Sequence, residues 1–504
     1  MGRSEKALKN ISTGLLNKAI VMFLSFATKT AFIRLLGAEY NGISSLFTNI
    51  LSVLALAELG LGNVLMFYLY AALKEDDHEK IYALTQEFKR IYNIIILFIL
   101  GVGLAVIPFL PSIVNSEFPF GQLVTYYLLY LINSVASYFV IYRTMVVRAD
   151  QKEYILNNVN TGATVCMYLL QLVYLFVYRN FLGYLIIQVM CTIGNNIVQD
   201  RIALKRYPYL KKQPGGAVTN YVDKKKMFLD VKATFLFKVS DTVLDQTDNI
   251  IISIMFGTVV VGYYANYYMI MAYLAQIAAI IVSGLLAGFG NLYVDGDDEK
   301  SYQMLRCSMF FFSAYGAFTV ACYSSIVQQF IPLWVGSQYV MGIDMVAAIM
   351  AVYYLRMVTN TVWIYRSTMG IFKEVQYINL LAAVLNIVLS VLFGHWFGVA
   401  GVIVATGVSR LFTSFWYEGK VVFEKLGKKA SVYYKVQLKD LATSTLIIGG
   451  SLFVNRFLPA QGAVSMIGKV LVCAVLTLGL ELVVNGRSEE FKSITGKVHS
   501  VFTK

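Results

Sequence analysis

Apolar stretches of about 20 residues or more recur along the whole chain. They fall roughly at 11–36, 42–70, 91–113, 121–147, 155–178, 181–203, 234–256, 258–290, 303–329, 343–365, 376–395, 398–418, 440–458 and 463–484. A run of that length crosses a hydrocarbon layer of about 30 Å as a helix. Lipid offers no partner to a free N–H or C=O, so each run must close its hydrogen bonds internally. These runs predict an all-α polytopic membrane protein with about 14 transmembrane helices. Composition agrees. Of 504 residues, 58% are hydrophobic and only 14% are charged. That charge cannot cover a soluble protein of this length, whose domains carry about 25%. A soluble enzyme, a disordered chain and a secreted disulfide scaffold are excluded.

The net charge of +13 would suggest nucleic acid in a soluble protein. Here it reports orientation, and no nucleic-acid partner is expected. With the N-terminus placed in the cytoplasm, alternate loops collect the cations. Examples are Lys74, Lys80, Lys89 and Arg90; Arg143, Arg148 and Lys152; and Arg366 and Lys373. The opposite loops hold only Arg179 and Arg456. This is the positive-inside pattern, and one missing span would destroy it. Both termini are therefore expected in the cytoplasm, with the first apolar run kept as a membrane helix. Lys224–Lys226 suits a topology signal or a contact to anionic lipid heads.

Two spacings repeat. Gly37 and Gly42 open the second span, and Gly257 and Gly262 open the eighth, 220 residues on. Tyr142-Arg143 precedes Tyr154-Ile155 as Tyr365-Arg366 precedes Tyr377-Ile378, 223 residues on. The expected organisation is a six-helix bundle at 1–204, a basic linker at 205–233 and a second six-helix bundle at 234–420. A basic loop at 421–439, two further membrane helices at 440–484 and a tail at 485–504 complete it. An even number of spans gives both copies one orientation, and binding in such folds sits between repeats near mid-bilayer.

Ionisable groups inside a membrane are costly and mark cavities or partners. Lys29, Arg356 and Arg410 have no carboxylate within a turn on their own helix, so a cavity role is expected for them. Arg34 lies near the outer end of its span and suits either an anchor or a binding group. Glu58 is deep and alone. Asp241, Asp245 and Asp248 follow i, i+4, i+7 on one helical face. The cations suit an anion such as a pyrophosphate, and the carboxylates suit Na⁺ or H⁺. No P-loop, GxSxG or HExxH motif occurs. The five cysteines lack CxxC spacing, and His78, His395 and His499 are scattered. No metal, cofactor or enzymatic activity is expected.

Several stretches together resemble the Wzx-type polysaccharide flippases, within the superfamily of MATE exporters and lipid II flippases. They are FIRLLGAEYNGISSLFTNIL, AELGLGNVLMFYLY, RADQKEYI, QTDNIIIS and the segment Met369–Ser409. The resemblance implies a MATE-like fold in a bacterial plasma membrane. It also implies transfer of an undecaprenyl-pyrophosphate-linked oligosaccharide to the outer leaflet for capsule or exopolysaccharide synthesis. It implies membrane lipids, a polysaccharide polymerase and glycosyltransferases as partners. By analogy with the lipid II relatives, Lys29 and Arg34 would contact the pyrophosphate, and the last two spans would border a groove for the lipid tail. Lys29, Arg34, Arg356 and Arg410 are thus the substrate-binding candidates. Glu58, Asp241, Asp245 and Asp248 are the ion-coupling candidates. The rival readings are a cation-coupled multidrug exporter on the same fold and a non-catalytic component of a polysaccharide assembly complex.

Overall fold

A computed structural model describes residues 3–55, 61–150, 152–211, 239, 242–244, 246–294, 297–371, 373–459 and 462–502. Every regular element among them is helical. In order they are α1 (Arg3–Leu36), α2 (Ala38–Leu54), α3 (Leu61–Lys74), α4 (His78–Val106) and the short α5 (Leu110–Ile113). Next come α6 (Phe120–Ala136), α7 (Ile141–Ala149), α8 (Glu153–Tyr178) and α9 (Phe181–Arg206). A helix at 246–256 is α10. The rest are α11 (Thr258–Val294), α12 (Asp298–Trp334), α13 (Ile343–Thr368), α14 (Gln376–Phe412) and α15 (Ser414–Lys425). The last are α16 (Ala430–Asn455), α17 (Ala463–Asn485) and α18 (Glu489–Phe502).

Helix ends follow local chemistry. The carboxylates of Asp77 and Asp297 accept from Lys80 N and Lys300 N at 2.9 and 3.1 Å, capping α4 and α12. Asn180 caps α9 through Gly183 N. Gly37 and Gly257, the first members of the repeated glycine pairs, share a φ of 95° at the starts of α2 and α11. A side chain at that φ would be strained, so both sharp entries need glycine.

Eight segments among the described residues are long and apolar enough to cross a membrane. A ninth forms when α6 and α7, bent by 40°, count as one span. Bends, fusions and undescribed stretches separate this number from the expected fourteen. The segment 376–425 counts once but holds two expected spans. Gly398 breaks α14 at φ 64°. Across that break Asn386 Nδ2 donates to Thr406 Oγ1 at 2.8 Å, and Ser390 Oγ to Val402 O at 3.4 Å. Partner numbers falling as the others rise mean that the two halves run antiparallel, as a hairpin. The second expected span is divided into α2 and α3, with 56–60 outside the described residues. The expected span at 234–256 is described only from α10 and four residues before it.

The chain divides into two compact units, Met1–Gly262 and Tyr263–Lys504. In the first, α1 packs along α8, and a polar network joins α6, α8 and α9. Thr192 donates to Asn133 at 2.7 Å, while Asn195 and Gln199 both donate to Asn160 Oδ1 at 2.8 and 2.6 Å. In the second, α12 is central and packs on α13, α16 and α17. The burial pattern on α17 is the reverse of a soluble helix. Ser465, Lys469, Cys473, Thr477, Glu481 and Asn485 are buried, whereas Val464, Ile467, Leu471, Val475 and Leu478 are exposed. A polar stripe inside and an apolar face outside is what lipid solvent selects.

Candidate functional site

Lys29 lies in the span Asn17–Leu36, half-buried in the first unit. Its Nζ sits 4.9 Å from the ring centre of Phe32, one turn on. Phe32 belongs to an aromatic cluster with Phe181 and Tyr184, centroids 5.5 and 5.0 Å away. Tyr40 and Tyr126 extend it through Phe181. A cation over a ring face gains roughly 0.5–2 kcal/mol. Arg34, five residues on, is exposed, and five positions along a helix turn it away from the Lys29 face. The structure therefore does not bring these two side chains to one face. Asp248 is half-buried on α10. Beside it, Gln246 O accepts from Asn49 Nδ2 of α2 at 3.3 Å. Glu58, Asp241 and Asp245 lie outside the described residues, as do Lys212 and Lys224–Lys226 of the basic linker.

In the second unit Arg356 and Arg410 come to adjacent helices at one level. A Cβ on Gly407 of α14 would meet Val352 Cγ2 of α13 at 3.2 Å. Further along, Arg366 of α13 pairs with Glu418 of α15. Numbers rise together between these two contacts, so α13 runs parallel to the second half of α14. Arg356 is one turn past Val352, and Arg410 is one turn past Gly407. Arg356 is exposed and Arg410 is half-buried. The sequence puts them on separate spans, and the packing brings those two spans into contact.

The structure also assigns roles to two arginines first read as topology signals. Arg143 Nη1 reaches Asp200 Oδ1 and Oδ2 at 2.6 and 2.8 Å, tying α7 to α9. Arg366 is buried and pairs with Glu418, which also accepts from Asn379 Nδ2 at 2.8 Å. These are the arginines of the repeated Tyr-Arg step. Arg143 ties α7 to α9, and Arg366 ties α13 to α15. The repeated dipeptide was the signal in the sequence; the acidic partners, 57 and 52 positions away, were not marked.

The RADQKEYI stretch is likewise a local anchor. Tyr207 Oη donates to Asp150 Oδ2 at 2.6 Å, and Lys152 pairs with the same oxygen. Burial pushes the Asp150 carboxyl up, but the bonds from Lys152 and Tyr207 outweigh it and hold it below its ordinary value.

No protein-family model and no curated protein sequence matches the chain. Solved structures do match it. Lipid II flippase MurJ in an inward closed conformation aligns with a TM-score of 0.67 at 12% identity, covering 94% of this chain and 98% of MurJ. The fold is that of MurJ and the MATE transporters. An inward-facing multidrug resistance MATE family transporter of the MOP superfamily aligns at 0.60 and 14% identity, covering 82% of this chain and 99% of its own. The Vibrio cholerae MATE transporter VcmN, in a mutant form, aligns at 0.55 and 14%, covering 83% and 96%. Such identities establish a multi-pass membrane fold and leave the cargo to the side chains.

Proposed function

We propose that the protein is a flippase that moves an undecaprenyl-pyrophosphate-linked oligosaccharide from the inner to the outer leaflet of a bacterial plasma membrane by alternating access. The observation that supports this reading is the contact of α13 with α14 at Val352 and Gly407 in the second unit, with Arg356 and Arg410 each one turn further along. Two guanidinium groups at one level suit a doubly charged, oxygen-rich headgroup such as a pyrophosphate, which arginine binds through paired hydrogen bonds. Lys29 is a separate cation candidate within the first unit. The likeness to MurJ supports a lipid-linked cargo, and it spans 94% of this chain against 82% for the inward-facing MATE transporter. Twelve per cent of this chain is about the length of two membrane helices with their loops.

In this mechanism the arginines draw in the pyrophosphate while the polyprenyl tail stays in lipid, and the halves then open outward. Asp248, Asp241, Asp245 or Glu58 would take the coupling Na⁺ or H⁺. Moving one charge through 100 mV is worth about 2.3 kcal/mol, enough to bias the cycle. A polysaccharide polymerase and glycosyltransferases would act before and after this step.

Arg356→Glu and Arg410→Glu should each reduce flipping of a purified lipid-linked oligosaccharide in vesicles at least tenfold. Folded protein should still be recovered by size-exclusion chromatography. Full transport in both variants would remove the arginines from the binding site. Efflux of cationic drugs from a pump-deficient host, with no flipping in vesicles, would favour the multidrug exporter.

A further inference from the structure

A second group of ionisable side chains lies in the unit Tyr263–Lys504, among α12, α16, α17 and α18, and the transport reading does not use it. Asp440 on α16 is 8% exposed and Glu481 on α17 is 5% exposed. Asp440 lines a small cavity of about 30 Å³ with Arg306, Lys439, Asn485, Ser488 and Glu490. Among the described residues its carboxylate makes no hydrogen bond or ion pair; Tyr354 Oη approaches only its backbone oxygen, at 3.5 Å. Glu481 accepts one bond, from Asn485 Nδ2 at 2.6 Å.

The charges facing Asp440 come from every neighbouring helix. Arg306 on α12 is held by Glu490 of α18 at 2.6 Å. Lys439 precedes Asp440 on α16 and is exposed. Glu481 faces it from α17, and the Tyr354 hydroxyl of α13 donates to Ser444 Oγ at 2.8 Å. Arg306 and Lys439 supply two positive charges; Asp440, Glu481 and Glu490 supply three negative ones. One negative charge is left over in a buried site. An uncompensated buried charge costs several kcal/mol, and two facing carboxylates cannot both ionise cheaply. A metal ion would meet the repulsion of Arg306 and Lys439, and the cavity has room for about one water. A proton answers the imbalance without needing space.

We propose that Asp440 and Glu481 form a proton-binding site on the two C-terminal membrane helices. The site takes up one proton when solvent reaches it and releases it when the helices shift. Its existence stands apart from the flippase reading; only a role in coupling, beside or in place of the carboxylates named above, rests on that reading. Uptake adds H⁺ to a carboxylate oxygen and removes one negative charge, with no other bond changed.

The first test uses the purified full-length protein in detergent. Unfolding temperature is followed from pH 5.5 to 9 in sodium-free choline buffer for wild type, Asp440→Asn, Glu481→Gln and the double variant. A fold that keeps a carboxyl protonated binds more protons folded than unfolded. Wild-type stability should then fall as pH rises, and the double variant should lose that slope. Infrared spectra should show a protonated-carboxyl C=O band in wild type at pH 7 that Glu481→Gln or Asp440→Asn removes. This readout holds even if one variant is recovered poorly. Superimposable pH profiles and an unchanged carboxyl band would overturn the proposal. So would a sodium-specific rise in stability that the double variant loses, because it would make the site a Na⁺ site. In vesicles, the double variant should lose acceleration of flipping by an imposed pH gradient. If wild type does not flip the probe at all, the flippase reading fails while the stability and infrared results still decide the proton site.

Discussion

Arg366→Ala should strip the second unit of several kcal/mol and leave little folded protein. The Arg366 side chain is 2% exposed and that of Glu418 10%, so each relies on the other for charge compensation. Removing one partner of a buried pair costs about 3–5 kcal/mol, because the survivor is left charged in a low-dielectric site. Glu418→Ala should cost a similar amount and also strand the Asn379 amide, which donates to Glu418. Arg143→Ala should be milder, about 1–3 kcal/mol, because the Arg143 and Asp200 side chains are 24% and 21% exposed and water screens them. Thermal unfolding in detergent, read by the monodisperse fraction after heating, ranks the three. A double exchange of Arg366 and Glu418 for methionine, with Asn379→Leu, should recover most of the loss, since buried ion pairs are often replaceable by apolar groups. An unfolding temperature of Arg366→Ala equal to wild type would show that the pair holds nothing together.

The second large effect is expected where α2 crosses the start of α11. A Cβ on Gly42 would lie 1.9 Å from Thr258 O, and a Cβ on Gly262 would lie 2.0 Å from Ala38 O. The four positions pair off at the 220-residue offset of the repeat, Ala38 with Thr258 and Gly42 with Gly262, so the crossing is its own mirror in sequence. Asn41 Nδ2 adds a bond to Gly262 O at 2.9 Å. Such close backbone approach needs glycine at both places. Gly42→Ala and Gly262→Ala must each push backbone aside, at about 1–3 kcal/mol. Gly42→Val should be worse, with loss of folded yield and of transport. Gly101 of α4 is the control: nothing lies within 4 Å of its Cβ position, so Gly101→Ala should be neutral or slightly stabilising. Equal unfolding temperatures for Gly42→Ala and Gly101→Ala would dissolve the tight crossing.

Both predictions rest on repeats that were legible in the amino-acid chain before any packing was known. The glycine pairs were visible as spacing, and the structure supplies the reason: a left-handed entry at Gly37 and Gly257, then a close crossing at Gly42 and Gly262. The Tyr-Arg steps were visible too, but Arg143 and Arg366 were counted as loop cations that orient the chain. Arg143 lies inside its apolar run and Arg366 just past the end of its own, and each arginine turns to a carboxylate. The stripe Ser465, Lys469, Cys473, Thr477, Glu481, Asn485 repeats every four residues inside an apolar run. That period is readable in the sequence as one polar face of a helix.

The sequence by itself determined the helical class and where most membrane helices lie. Lipid leaves an apolar segment no alternative to internal hydrogen bonding, so length and hydrophobicity suffice. It could not determine which charge meets which. Pairs such as Arg366 and Glu418, or Asp440 and Glu481, lie on different helices tens of residues apart. Their meeting depends on how helices pack laterally, and in lipid that is decided by close contacts and polar pairs with little hydrophobic drive. Only the tertiary structure therefore shows which of these charges neutralise one another.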